Sequence, residues 1–485
     1  MSTAVRTGQL AAVDLGATSG RVMVAKVGPG TFHMRQVHRF ANDPVYLWNG
    51  HRTSMHWDLP NLFANVCAGL AGASRHAPEL ISAGVDSWAV DYGLLRNGRL
   101  LGLPYHYRDI RMSVGTDIVH ARLSQEQIYA RNGLQFLPFT TMFQLAAEDL
   151  LEMADTALLI PDLVGYWLTG KEVTEKTNAS TTGLLGIDGR WDDELAESLG
   201  VPVGLFPGLA EPGSRLGPVL PELADRVGLR RGMDIVSVAS HDTASAVVAV
   251  PMLSDSAAYI SCGTWGLVGV ELARPVVDDA SRAANFTNEV GADGRIRFLR
   301  NAMGLWVLSE TVRHWERGGE RIDLSRLLAE AAECSPTAAV FDGDDPRFRQ
   351  PGDIPGRIAH WYVEHDLPAP ASRPEMARAI VESLAAGFAR GVEEAAVLSG
   401  VPVRTVHVVG GGAQNRLLCQ LVANRLGLPV IAGPVEATAI GNVLIQARAY
   451  GVLHGDLAEL RATLGATVHT TRFEPQRTAA GKVWS

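Results

Sequence analysis

The chain has 485 residues, of which 47% are hydrophobic and 20% charged, and a formal net charge of −9. This is ordinary globular composition over a length that suggests two or three domains, and an acidic surface argues against a nucleic-acid partner. Four cysteines (Cys67, Cys262, Cys334, Cys419) with no CxxC pair argue against a disulfide framework or a structural zinc site.

The N-terminal apolar stretch is short and is broken by Asp14, unlike a signal peptide. No run of about 18 apolar residues suggests a membrane span. The expectation is a soluble, cytoplasmic protein with no membrane partner.

In chain order, residues 10–13 read as a strand, 14–20 as a turn and 21–27 as a second strand. Helical spacing follows at 61–72, then a strand at 81–86 and another helix at 124–131. Residues 165–172 nearly match a P-loop, but Glu172 stands where Ser or Thr must reach Mg²⁺, and residues 161–164 read as a helix start. A strand at 235–239 leads through Ser240, His241, Asp242 and Thr243 into a helical stretch at 244–249. A polar break near 246–256 marks a domain boundary, which divides the chain into 1–250 and 251–485. A second strand–turn–strand then occupies 257–261, 262–266 and 267–272. A long helix at 375–399 stops at Gly400, and a strand at 406–409 runs through Gly410, Gly411 and Gly412 into a helix from Asn415. Strands that alternate with helices predict an α/β fold. The two hairpins lie about half the chain apart, and the strand at 81–86 is echoed at 406–412. Both features fit an internal duplication.

Three of these turns have the composition of phosphate chemistry. In the first, Gly16 and Gly20 permit tight backbone, Thr18 and Ser19 supply hydroxyls, Arg21 a cation and Asp14 a carboxylate for Mg²⁺. The same residues fit an ordinary Gly/Ser-rich hairpin turn. Asp242 sits at a strand-to-helix turn, where active sites of α/β folds collect, and equally where a helix N-cap belongs. The glycine run lets a ligand approach the backbone next to a helix N-terminus; it is not a dinucleotide fingerprint, and it too fits a plain turn.

These segments together resemble the FGGY carbohydrate kinase family over nearly the whole chain. The resemblance is carried by residues 13–21, 135–139, 239–246, 261–265, 301–306, 408–415 and 432–442. Within the family the pattern is that of members acting on L-rhamnulose. The resemblance implies two actin-like (ribonuclease H-like) ATPase domains flanking a catalytic cleft, the first for sugar and the first phosphate hairpin, the second for nucleotide. It implies transfer of the ATP γ-phosphate, with Mg²⁺, to the sugar 1-hydroxyl in rhamnose catabolism, by a monomer or homodimer. Ala17, Thr18, Ser19, Gly20, Arg21, Thr264, Ser309 and Gly411 would meet ATP. Ala89, His241, Asp242, Thr243 and Asn301 would hold the sugar, Asp242 as proton acceptor, with Asp14 toward the metal.

Two positions depart from the family pattern. Ala89 follows Trp88 where glycine is usual, which puts a methyl where a positive φ would be disfavoured. Ser309 replaces a glutamine, shortening any reach toward nucleotide. Kinases of the family acting on fuculose, xylulose or glycerol, and an actin-like ATPase that serves as a binding module, are the alternatives.

Overall fold

The first expected hairpin is present as β1 (Gly8–Leu15) and β2 (Ser19–Gly28), which pair antiparallel with Asp14 opposite Arg21. The computed structural model describes residues 7–476. Beside the hairpin lie β3 (Thr31–Ala41), β4 (Leu80–Ser87), β5 (Ser214–Pro218) and β6 (Asp234–Ser237), and the sheet order is β5-β6-β4-β1-β2-β3. β4 is parallel to β1, with Asp14 level with Asp86, and β6 is parallel to β4. These central strands are buried along almost their whole length, as strands covered on both faces must be; β3, at the edge, alternates half-buried and exposed residues.

The helix Leu59–His76 shows why the sequence packs here. Asp58 accepts the Asn61 amide to cap it, and Leu59, Leu62, Val66, Leu70 and Ala73 form one buried stripe. That stripe shares a core with Val13, Leu15, Val22 and Val85 of the sheet. Each such aliphatic side chain contributes roughly 1.5–3 kcal/mol by leaving water.

The second sheet has seven strands, six of which are β7 (Ala257–Cys262), β8 (Trp265–Leu272), β9 (Ile296–Met303), β10 (Thr405–Val409), β11 (Val430–Ala432) and β12 (Thr471–Phe473). These six run β9-β8-β7-β10-β11-β12, with an antiparallel hairpin β7–β8, parallel β7–β10–β11 and antiparallel β12. The first sheet has the same pattern: hairpin, two parallel strands, then an antiparallel strand. The echo between residues 81–86 and 406–412 is therefore topological, since β4 and β10 are each the parallel neighbour of the first hairpin strand.

The chain forms two compact units, and neither is one continuous segment. Among the described residues, the first contains 7–253, 272–297 and 437–468; the second contains 254–271, 298–436 and 469–476. The break after Leu253 lies inside the 246–256 window, but two later segments return to the first unit. One is anchored by close packing: a Cβ on Gly441, in the helix Ala437–Ala449, would lie 1.8 Å from the Ser245 carbonyl oxygen. Only glycine permits that approach. Residues 165–172 lie mostly on the helix Ile160–Thr169, whose left-handed C-cap is Gly170. The near-match to a P-loop is thus a helix stop. No described helix is long and apolar enough to cross a membrane.

Candidate active site

In the first unit, the C-terminal ends of β1, β4 and β6 bring together residues from three parts of the chain. Ser87 at the end of β4 donates its amide to the Ser240 carbonyl, and Trp88 donates its amide to the Leu15 carbonyl. This ties the β1 turn, the β4 turn and the Ser240–Thr243 turn to one another. Ala17 and Ser19 are half-buried, Thr18 is exposed and Gly20 is buried. Asp14 and Arg21, expected to face metal and phosphate, face each other: Arg21 Nε and Nη2 lie 2.8 and 2.7 Å from Asp14 Oδ2. The Arg21 side chain is 26% exposed, so it is within reach of a ligand.

Asp242 is the first residue of the helix Asp242–Val248; the N-cap is His241, which makes no side-chain capping bond. Asp242 Oδ1 accepts the Thr243 hydroxyl (3.1 Å) and lies 3.5 Å from His241 Nε2. Its side chain is 32% exposed, and its acidity is weakened. Burial pushes the carboxyl upward and the Asp14 charge adds to this, against the opposing effects of His241 and Thr243.

A third carboxylate, unforeseen from sequence, completes the acidic cluster. Asp86 is fully buried. Asn442 Nδ2 donates to its Oδ2 (2.6 Å), and its Oδ1 has no hydrogen-bond partner. Burial, then Asp14, then Asp242 drive its carboxyl well above the ordinary range, opposed by Asn442 and Arg21. Asn442 is itself held by Gln446, which also bonds Ser82 and the Ala11 carbonyl.

Sequence reasoning also missed the supports of the His241 turn. Glu175, fully buried, accepts the Ser240 amide and hydroxyl (3.0 and 2.8 Å) and the Thr177 hydroxyl (2.6 Å). Glu289 and Arg297 lie against the His241 ring. Arg297 Nη2 is 3.0 Å from Glu289 Oε2 and 3.1 Å from His241 Nδ1. Burial would raise the Glu289 carboxyl, but the Arg297 guanidinium leads the opposing effects, and the carboxyl is held below its ordinary value.

At the β4 turn the strain is one residue from where it was expected. Ala89 does not have a positive φ; Val90 does, at 70°, closed by the Asp91 amide donating to the Ala89 carbonyl (3.0 Å). A β-branched residue rarely adopts this conformation. It is held by Asp91, whose Oδ2 accepts Trp57 Nε1 (2.6 Å) and Trp88 Nε1 (3.0 Å) and whose Oδ1 accepts Gln144 Nε2 (2.8 Å). The Val90 carbonyl accepts the Thr141 hydroxyl (2.6 Å). The methyl of Ala89 is therefore accommodated without backbone strain.

In the second unit, three expected nucleotide residues converge on Leu305. The Leu305 amide donates to Gly263 next to Thr264, and the Ser309 amide donates to the Leu305 carbonyl. A Cβ on Gly411 would sit 3.7 Å from Leu305 Cδ1. Thr264 is half-buried, and Ser309 and Gly411 are exposed. The three glycines are not equivalent. Gly410 has φ 78°, and a Cβ on Gly412 would lie 2.4 Å from Cys262 Sγ, so both are required by backbone and packing. Gly411 alone has room for a ligand at its backbone. The following helix, Arg416–Leu426, is capped by Asn415, which accepts the Leu418 amide. Asn301 lies half-buried on β9.

Among the described residues no three His, Cys, Asp or Glu side chains are grouped to hold a metal by themselves. Mg²⁺ in nucleotide sites takes one or two carboxylates and completes its shell with phosphates and water. Asp14, beside the unpartnered Asp86 oxygen and the Asp242 charge, fits that limited requirement.

Comparison with known proteins agrees with this arrangement. The N-terminal domain of the FGGY family of carbohydrate kinases matches residues 10–249, and the C-terminal domain of that family matches residues 258–450. A rhamnulokinase of Bacteroides thetaiotaomicron is 38% identical, with 97% of this chain and 96% of that protein covered. A rhamnulokinase of Pectobacterium carotovorum is 42% identical, covering 96% and 93%. Among solved structures, a ligand-bound xylulose kinase from Lactobacillus acidophilus shares the fold with a TM-score of 0.74 at 18% identity, covering 97% of this chain and 94% of that one. A Plasmodium falciparum glycerol kinase with ADP has a TM-score of 0.74 at 14% identity, covering 97% and 94%. On the match of both family domains across nearly its full length, the chain belongs to the FGGY family of carbohydrate kinases.

Proposed function

We propose that the chain transfers the γ-phosphate of ATP to the 1-hydroxyl of L-rhamnulose, giving L-rhamnulose 1-phosphate and ADP. The observation that carries the chemistry is Asp242: an accessible carboxyl, raised in pKa, at a strand-to-helix turn beside a fixed imidazole. The choice of sugar rests on relatives named rhamnulokinase at 38% and 42% identity over almost the whole chain.

In this reading Asp242 takes the proton of the sugar hydroxyl as that oxygen forms its bond to the γ-phosphorus and the bond to ADP breaks. A raised pKa makes Asp242 a stronger base than an ordinary carboxylate. His241, Thr243, Ala89 and Asn301 hold the sugar. Ala17, Thr18, Ser19, Gly20 and Arg21, with Thr264, Ser309 and Gly411, hold ATP. Asp14 would hold Mg²⁺ together with the phosphates; the ion supplies neutralisation of phosphate charge. When ATP arrives, Arg21 exchanges its bond to Asp14 for phosphate oxygens, which frees the carboxylate for the cation. ATP and a free sugar are the partners, and the cytoplasm, where ATP is abundant, is the compartment.

The test is ADP release measured with L-rhamnulose, L-fuculose, D-xylulose and glycerol. L-rhamnulose should give the highest kcat/KM by at least roughly tenfold, the discrimination available from a single well-placed contact. A higher kcat/KM on any other acceptor overturns the substrate assignment. ATP hydrolysis without sugar should be slow, because water must not replace the acceptor; rapid sugar-independent hydrolysis would point instead to an ATPase module.

A further inference from the structure

His241 Nδ1 lies between two groups with opposite demands. Arg297 Nη2, at 3.1 Å, can only donate; Glu289 Oε2, at 3.3 Å, can only accept. The ring can satisfy only one of them, and the choice fixes which nitrogen carries its proton. Hydrogen-bond geometry favours Arg297. Its 3.1 Å contact to Nδ1 has hydrogen-bond geometry, and the longer contact from Glu289 Oε2 does not. Glu289 lies 3.0 Å from the guanidinium and balances its charge. All three side chains are buried, Arg297 completely, so water does not compete for Nδ1. A further tie holds the turn: the His241 amide donates to the Thr177 hydroxyl.

We propose that Arg297, charge-balanced by Glu289, is a positioning residue that fixes His241 as the Nε2–H tautomer. Nδ1 is then an acceptor occupied by Arg297, and the only proton on the ring is on the side facing Asp242, whose Oδ1 lies 3.5 Å from Nε2. His241 thus presents a donor, never an acceptor, to the acceptor sugar. A donor there selects for a sugar oxygen and leaves the hydroxyl proton to Asp242 rather than to the imidazole. The assignment of sugar contact to His241 rests on the proposed function above; the tautomer does not.

The experiment uses the full-length protein labelled with ¹⁵N-histidine, with the His241 signal identified by its loss in His241→Gln. In the wild type a directly bonded proton should appear on Nε2, with Nδ1 unprotonated; a proton on Nδ1 overturns the proposal without any further variant. In Arg297→Met the proton should move to Nδ1 and bond Glu289. The sugar KM should then rise about tenfold, the loss of roughly one hydrogen bond, while the ATP KM is unchanged and kcat falls less. If Arg297→Met does not fold because Glu289 is left unpaired, the double variant Glu289→Met/Arg297→Met removes both charges, and buried ion pairs tolerate such replacement. It should show mixed tautomers and a rise in sugar KM smaller than that of Arg297→Met, in proportion to the Nε2–H fraction lost. An unchanged Nε2–H signal in a folded variant, or a loss confined to kcat, also overturns the proposal. If L-rhamnulose and the other acceptors all fail while the tautomer responds as stated, the functional reading is wrong and the positioning pair stands.

Discussion

Replacing Asp242 with asparagine removes a negative charge and keeps the side-chain outline. The amide oxygen can still accept the Thr243 hydroxyl, now 3.1 Å from Oδ1. The catalytic cost follows from losing a positioned base, about 10²–10⁴-fold in kcat, or roughly 3–5 kcal/mol of barrier at 1.36 kcal/mol per decade. Stability should move the other way. The Asp242 carboxyl has a raised pKa in the fold. Its contribution is therefore complete below the ordinary carboxylate pKa and is lost as pH rises through the folded value. At neutral pH the ionised group is disfavoured by the fold, so Asp242→Asn should unfold at the same temperature as the wild type or a higher one. The helix start is insulated as well, because the N-cap is His241 and no side-chain cap is removed. The assay is ADP release under saturating ATP and L-rhamnulose, with thermal unfolding measured on the same preparation. A kcat within tenfold of wild type in a folded variant would refute the assignment of the base. A drop in unfolding temperature parallel to the loss of activity would instead return Asp242 to a structural role.

Gly412→Ala should destabilise the second unit by about 1–3 kcal/mol, because its Cβ would meet Cys262 Sγ at 2.4 Å, whereas Gly411→Ala should leave unfolding unchanged and raise the ATP KM. Differential scanning calorimetry and ATP titration separate the two. Burial pushes the Asp91 carboxyl up to about 6, so its contribution is full below about pH 4 and is lost as pH rises through 6. Asp91→Asn presents an amide donor to Gln144 or to the two indoles and should cost roughly 1–3 kcal/mol. The gap between wild-type and variant melting temperatures should narrow from acid to neutral pH. Chelating divalent ions should abolish turnover while leaving the melting temperature unchanged, since no described cluster of side chains holds a metal alone. Burial raises the thiols of Cys67 to about 11 and of Cys419 to about 12, and raises Cys262 too. Iodoacetamide at neutral pH should therefore label the half-buried Cys334 first, as read by mass spectrometry.

The parts of the site that were legible in the sequence share one property: their meaning is local. The two hairpins, the Ser240–Thr243 turn and the glycine run each announce themselves by strand pattern, turn residues and helix spacing within about ten residues. What was missed acts across distance. Asn442 meets Asp86 across 356 positions, and Ser240 meets Glu175 across 65. Glu289 and Arg297 belong to a segment that returns to the first unit after the chain has begun the second. No spacing rule links such residues, because their proximity is made by the sheet. Val90 shows the same limit at short range. Sequence reasoning placed the difficulty at Ala89, where glycine was expected. The left-handed residue is its neighbour, because Asp91 is pinned by Trp57, Trp88 and Gln144 and its amide closes the turn on the Ala89 carbonyl.

The repeated sheet order separates what a fold supplies from what residues supply. In both units the first hairpin strand ends level with its parallel neighbour, a place where α/β folds collect ligand chemistry. In the first sheet that register puts Asp14 beside Asp86, two carboxylates at one strand end. In the second it puts Ser261 beside Val409, followed by Cys262 and Gly410, with no charge at all. Burial, with neighbouring carboxylates adding to it, raises Asp86 and Asp242, which suits a cation and a proton acceptor. The second unit replaces side-chain charge with close-packed glycine backbone, open only at Gly411, which suits neutral N–H contacts to an anion. An exchange of these characters is the sharpest test of the division. Asp14→Ser, the exchange to the residue at the matching place of the second sheet, should return the Asp242 carboxyl toward its ordinary value by removing the neighbouring charge that helps to raise it. The acid limb of the kcat profile, measured at saturating ATP and Mg²⁺, should then shift to lower pH. An acid limb that does not move would mean that Asp242 is tuned by burial alone, and that the acidic cluster serves the cation rather than the base.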